Sequence, residues 1–196
     1  MNELQAIDRI KRGNLDGLEI LVRHYQVKAI QAAFLIVRDR LIAEDVVQAT
    51  FLKAVERIDQ FDGSRPFGPW FLRSVVNAAI DVSRQQKQTI SLECETEDET
   101  RVLADWLMSD APYPEELVEM REVRVEVRKA LDALSPEQRT AVVLRHFLEM
   151  SEAEMTSVLY RPPSTIKWRL HIARKRLREL LRPTWQDRLN KKKEDV

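Results

Sequence analysis

One cysteine, four glycines and no uninterrupted apolar stretch of bilayer length set the first limits on this 196-residue chain. The single thiol, Cys94, forms no internal disulfide and cannot by itself build a thiolate metal site, so it reads as incidental. So little glycine, with apolar residues recurring at three and four and long stretches rich in Ala, Leu, Glu and Arg, argues for helix over sheet. No apolar run approaches the roughly 18 to 20 residues needed to span a bilayer, and Met1 to Asn14 lacks the apolar centre of a signal peptide. A cytoplasmic protein without membrane insertion is therefore expected. Also missing are a Gly-rich phosphate loop, a cluster of metal ligands and a Ser, His and acid set. No catalytic residue, metal, cofactor or small-molecule substrate is assigned, and no enzyme is expected.

Net charge is zero, with 32 basic and 32 acidic residues, but the balance hides segregation. Lys plus Arg against Asp plus Glu is 13 to 11 over residues 1–90, 2 to 11 over 91–122 and 17 to 10 over 123–196. A basic C-terminal third points to a polyanion, whereas the acidic middle repels one.

An all-α fold of two small helical domains is expected. Three amphipathic stripes run through the first 90 residues: Leu18, Leu21, Val22, Tyr25, Ala29 and Ala32; then Ala43, Val46, Val47, Thr50, Phe51, Ala54 and Ile58; then Phe67, Phe71, Val75, Ala78 and Val82. The loop from Phe61 to Pro69 holds two glycines and two prolines, which break helices. Residues 91–114, with Glu93, Glu95, Glu97, Asp98 and Glu99, lose the periodicity and read as an acidic linker, with a short helix expected near Val102 to Met108. Helical pattern resumes over 115–182, where Ser135 and Pro136 are a helix-start signal. A basic tail, 183–196, reads as frayed.

Three helices are legible in the C-terminal part: Pro136 to Phe147, Ser151 to Leu159, and one starting between Pro162 and Ser164. The corner Tyr160-Arg161-Pro162-Pro163 matches a helix-turn-helix. On the last helix Ile166, Leu170, Ala173 and Leu177 share one side, so Ser164, Lys167, Trp168, His171 and Lys175 face out, flanked by Arg174 and Arg178. Cations beside an indole and an imidazole suit a DNA major groove. The plain reading, that basic residues solvate a terminal helix, is weakened by the short helix and corner before it. In the second stripe's helix, Asp45, Gln48, Leu52 and Glu56 lie opposite the buried side. An apolar Leu52 in a polar face is either a lone exposed leucine or the centre of a protein-binding patch.

Leu134-Ser-Pro-Glu-Gln-Arg139, Ser151-Glu-Ala-Glu-Met155 and Thr165 through Leu177 resemble the C-terminal domain of extracytoplasmic-function (ECF) sigma factors. Glu44 through Ala54 resembles the polymerase-binding helix of that family, and Phe61 to Phe67 with Pro69 to Arg84 resembles its promoter-melting segment. The resemblance covers residues 5–90 and 115–180. It implies a sigma region 2-like bundle over 1–90 and a sigma region 4-like helix-turn-helix over 115–182. It further implies that Asp45, Gln48, Leu52 and Glu56 meet the clamp coiled coil of the largest subunit of core RNA polymerase. Arg65, Trp70, Arg73, Asn77 and Arg84 would bind and melt the downstream (−10) element. Ser164, Thr165, Lys167, Trp168, Arg169, His171, Ile172, Arg174 and Lys175 would read the upstream (−35) element, with the second domain on the upstream-facing flap.

Physically, the three arginines of the melting segment can hold phosphates and Trp70 can stack an unpaired base, worth roughly 1 to 3 kcal/mol. Phe67 and Phe71 are expected in the core, and Trp70 is left between the two roles. Partners implied are core polymerase, promoter DNA and, as is common in the family, an anti-sigma factor. The sequence departs from the family at Tyr160 and Ser164, where glycines are usual, and at Trp168, where a small polar residue is. The rivals are a helix-turn-helix repressor or response regulator acting without polymerase, and an adaptor that binds polymerase without promoter dependence.

Overall fold

The computed structural model describes the backbone of residues 2–89 and 114–194, and the side chains of 2–85 and 123–182. Among these residues there are helices and turns and no strand. Helices α1 (Glu3–Lys11), α2 (Asp16–Val37), α3 (Arg40–Glu56) and α4 (Phe67–Thr89) come first, with a 3₁₀ turn at Ile58–Gln60. After the acidic stretch follow α5 (Pro114–Asp132), α6 (Pro136–Val142), α7 (Glu152–Leu159) and α8 (Pro163–Glu194). The short helix expected near Val102 to Met108, and Cys94, lie outside the described residues.

By packing the chain forms two compact units that do not follow chain order: Met1–Ser91 with Val143–Tyr160, and Leu92–Val142 with Arg161–Val196. In the first, α2 is the central helix, packed by α1, α3 and α4. It is 22 residues long and apolar enough on average to cross a membrane, although Arg23 and Lys28 interrupt it. Average hydropathy, not an unbroken run, gives it that character. Its apolar residues Leu21, Ala29, Ile30, Ala33, Phe34, Ile36 and Val37 are buried in the bundle, so it is a core helix. The corner to α3 is made by Arg38, left-handed at φ 68°, and by Asp39, whose side chain accepts from the Ile42 N–H.

Every residue of the α3 stripe, Ala43 through Ile58, is buried as the spacing predicts. On α4 the buried side is Phe67, Phe71, Leu72, Val75, Val76, Ala79 and Ile80, so the stripe lies one position off the expected Ala78 and Val82, which are half-buried. The cause is tertiary: α2 and α3 both pack on α4, and two neighbours bury a wider arc than one stripe fills.

Two glycines fix how closely these helices approach. A Cβ on Gly17 would collide with the carbonyl oxygen of Ala6, so the backbones of α1 and α2 touch there. A Cβ on Gly68 would lie 2.8 Å from Cε1 of Tyr25, so α4 meets α2 at that ring. Tyr25 in turn donates to the Glu3 carboxylate on α1, and burial followed by that carboxylate raises its phenol pKa well above the usual value.

In the second unit α6 and α8 pack through Leu134, Val142 and Ala173, with Leu131 and Leu177 at the edge. Ser135 caps α6 as expected, its hydroxyl accepting from the Gln138 N–H while the Gln138 side chain accepts from the Ser135 N–H. The helix expected to run unbroken to Phe147 changes at Val143 into a π turn, where the Leu148 N–H bonds the Val143 carbonyl. The expected frayed tail is also corrected, because α8 runs through Pro183 to Glu194. Trp, Gln, Arg, Leu and Lys after Pro183 all tolerate helix, and the helix continues despite the hydrogen bond that Pro183 removes.

Gly17→Ala should lower stability in urea unfolding by about 1–2 kcal/mol, since overpacking a backbone contact outweighs the alanine's helix preference. Gly63→Ala, with no atom near its Cβ position, should change stability by less than about 0.5 kcal/mol. Equal stability for the two variants would refute the close α1–α2 approach.

Candidate nucleic-acid interface

On α3 the side opposite the core carries Asp45, Gln48, Leu52 and Glu56, all exposed. Leu52 is 63% exposed, and Leu41, 71% exposed, lies eleven residues earlier and so about three turns up the same side. Sequence reasoning passed over Leu41, although stepping back from Leu52 by whole turns reaches it. Glu44 is spent on a pair with Arg40 at 2.8 Å and stands at the flank.

The loop before α4 is held by its own side chains. Asp62 accepts from the Ser64 N–H at 3.0 Å, the Arg65 N–H bonds the Asp62 carbonyl, and the Arg65 guanidinium lies 3.3 Å from the Asp62 carboxylate. Hydrogen bonds from Ser64, and then the charges of Arg65 and Lys11, hold the Asp62 pKa below the ordinary carboxylate range. A depressed carboxyl pKa contributes above its unfolded value and is lost only as pH falls through the folded one, so this turn is intact at neutral pH.

Phe67 and Phe71 are in the core, as expected. Trp70 packs on the core with one side only: its ring centroid lies 5.3 Å from that of Phe61 and 5.4 Å from that of Phe67, and the residue is half-buried. At 100° per residue Trp70, Arg73, Asn77 and Arg84 fall within an arc of about 60° on α4. Arg73 and Arg84 are exposed and Asn77 is half-buried. Arg65, Trp70 and Arg73 also line one open groove of about 890 Å³, with Lys28 of α2 adding positive charge, His24 beside it and Glu154 also in the lining. The two α2 residues are visible as a site only in three dimensions. Arg73 donates to the Ser157 carbonyl at 3.2 Å, and Arg84 pairs with Asp81 at 3.6 Å. The Glu154 carboxyl is held below its usual range, first by hydrogen bonds from Ser151, which it meets in a capping box, and also by the Arg73 charge.

On α8 Ile166, Leu170 and Ala173 are buried. Ser164, Lys167, Trp168, His171, Arg174 and Lys175 are exposed, Trp168 at 60%, whereas Thr165, Arg169 and Ile172 are half-buried. Arg174 and Arg178 fold back on the Leu170 and Arg174 carbonyls of their own helix. The corner residue Tyr160 is left-handed, φ 51° and ψ 44°, and 80% exposed. That conformation is why a glycine is natural there. Ser164 lies in ordinary helix within the first turn of α8, so its side chain brings no strain. Among the described residues no group of three or more His, Cys, Asp or Glu is placed to hold a metal.

Residues 21–89 match the family model for Sigma-70 region 2, and residues 124–177 the model for Sigma-70, region 4. The chain is 30% identical over 179 residues to the ECF RNA polymerase sigma factor SigW of Bacillus subtilis, covering 91% of this chain and 96% of that protein. It is 29% identical over 181 residues to the RNA polymerase sigma-H factor of Pseudomonas aeruginosa, covering 91% and 93%. Among solved structures, CnrH in complex with the cytosolic domain of CnrY is 26% identical, with a TM-score of 0.60 and coverage of 92% and 97%. The sigma factor RpoE with the anti-sigma factor NepR from Bartonella quintana also has a TM-score of 0.60; at 22% identity it speaks for the fold alone.

Tyr160→Gly should stabilise the chain by about 0.5–1 kcal/mol, relief of left-handed strain outweighing glycine's added chain entropy. A lowered urea midpoint would contradict the strained corner.

Proposed function

Because this chain belongs to the extracytoplasmic-function family of RNA polymerase sigma factors, we propose that two helical parts, 1–90 and 115–182, divide the work of promoter recognition. The chain is a non-enzymatic initiation factor that directs core polymerase to promoters. Within that role the α3 face Asp45, Gln48, Leu52 and Glu56, extended by Leu41, binds the clamp coiled coil. The α4 arc and its groove receive the downstream element: Arg65, Arg73 and Arg84 hold phosphates, Trp70 stacks a base and Asn77 contacts one. To do so Arg73 exchanges the Ser157 carbonyl for a phosphate.

The α8 face reads the upstream element through Ser164, Thr165, Lys167, Trp168, Arg169, His171, Ile172, Arg174 and Lys175, and its domain sits on the flap. The acidic stretch 91–114 spans the two parts along the RNA exit path, and the basic tail 183–196 follows. Opening uses binding energy alone, with stacking on Trp70 offsetting lost base stacking. An anti-sigma factor completes the partners, and the site of action is the cytoplasm, where polymerase works.

The observation that carries this reading is Leu52, an exposed apolar side chain in the polar face of a helix whose core side is complete without it. A free-standing helix-turn-helix regulator is not favoured, because both family matches, and not only the C-terminal one, are to sigma regions.

Leu52→Asp should lower affinity for core polymerase at least tenfold while leaving the urea unfolding transition in place, because a carboxylate in a desolvated apolar patch costs more than about 1.4 kcal/mol. Unchanged affinity would remove that face from the assignment. Lys167→Ala should weaken use of promoters carrying the upstream element and flatten the salt dependence of duplex binding by about one unit of slope. An unchanged slope and promoter preference would show that α8 does not face DNA.

A further inference from the structure

Helix α1 lies outside the region 2 match, which begins at residue 21. It nevertheless reaches both ends of the loop in front of α4. The Lys11 ammonium donates to the Phe61 carbonyl at 3.1 Å, and the Phe67 N–H donates to Glu3 Oε1 at 3.3 Å. The second carboxylate oxygen of Glu3 accepts from the Tyr25 hydroxyl, so the carboxylate that holds the loop's far end is itself fixed to α2. Glu3 and Lys11 stand at opposite ends of α1, about 12 Å apart along its axis.

Phe61 and Phe67, whose main chains are gripped, are buried, and Asp62 to Pro66 between them are exposed. Gly17 brings the α1 backbone down onto α2, which sets the clasp at a fixed height. The apolar residues Ala6, Ile7 and Ile10 already anchor α1 in the core, so the polar ends serve something other than docking the helix.

We propose that α1 clasps the melting loop: Glu3 and Lys11 are positioning residues that hold its two ends at a set separation, so that Arg65 and Trp70 meet an opened strand together. This rests on the assignment of that loop to strand opening. Neither residue touches DNA. Each acts through a main-chain atom of the loop, so the clasp governs opening and not attachment to polymerase or to the upstream duplex.

The test uses full-length chain bound to core polymerase and a promoter carrying 2-aminopurine in the downstream element. Lys11→Met keeps the stem out to the ε carbon and removes the donor, and Lys11→Arg restores one. Lys11→Met should lower the opened fraction about fivefold, the size of one lost hydrogen bond, with core affinity and upstream duplex binding unchanged. Lys11→Arg should return opening to within about twofold of the unsubstituted chain. Glu3→Gln, assayed the same way, gives a second route through the other end. Trp70→Ala serves as the reference defect.

Normal opening in both Lys11→Met and Glu3→Gln beside a defective Trp70→Ala overturns the clasp alone. Normal opening in all three overturns the clasp together with the loop's assignment. An opening defect that Lys11→Arg leaves unrepaired, or that arrives with an equal loss of core affinity, also overturns it.

Discussion

Phe67 is the residue on which the arrangement around α4 depends. Its ring lies 5.5 Å from Phe61, 5.4 Å from Trp70, 5.6 Å from Phe71 and 5.6 Å from Tyr25, so one side chain ties the loop, α4 and α2 together. Burying such a ring contributes about 1.5–3 kcal/mol, and each well-placed aromatic pair adds about 0.5–1.5 kcal/mol. Trp70 therefore rests on a firm support. Its packed side is fixed by Phe61 and Phe67 and the remainder borders the groove, which is how one indole serves both the core and the surface.

The cations of the proposed DNA faces are held by weak local partners. Arg65 pairs with Asp62, Arg84 with Asp81, Arg73 with a carbonyl, and Arg174 and Arg178 with carbonyls of their own helix. Exposed pairs of this kind contribute from nothing to about 1 kcal/mol. A phosphate backbone, which also releases counterions, competes with them readily. The side chains are thus held by partners that cost little to exchange, and charge pairing of this kind would make the proposed DNA binding dependent on salt.

Much of this was legible in the chain because it depends on local spacing. The α3 stripe from Ala43 to Ile58, the cap at Ser135, and the buried Ile166, Leu170 and Ala173 follow from periodicity and capping chemistry alone. What escaped depends on distant neighbours. Burial of Val76, Ala79 and Ile80 in place of Ala78 and Val82 is set by two helices packing on α4. The π turn at Val143, the left-handed Tyr160 and the continuation past Pro183 are backbone choices that composition leaves open. His24 and Lys28 enter the groove only once α2 lies beside α4, and Glu3 and Lys11 are ordinary surface charges until the loop is folded over them.

In the proposed division of labour one chain binds polymerase through α3, opens DNA through α4 and locates it through α8. Mapping transcription start sites over a promoter library, with core polymerase in the presence and absence of the purified chain, tests that union most directly. New starts at a fixed distance downstream of a shared upstream element, formed without nucleotide hydrolysis for opening, are the predicted result. Identical starts with and without the chain, from an active core enzyme, would contradict it.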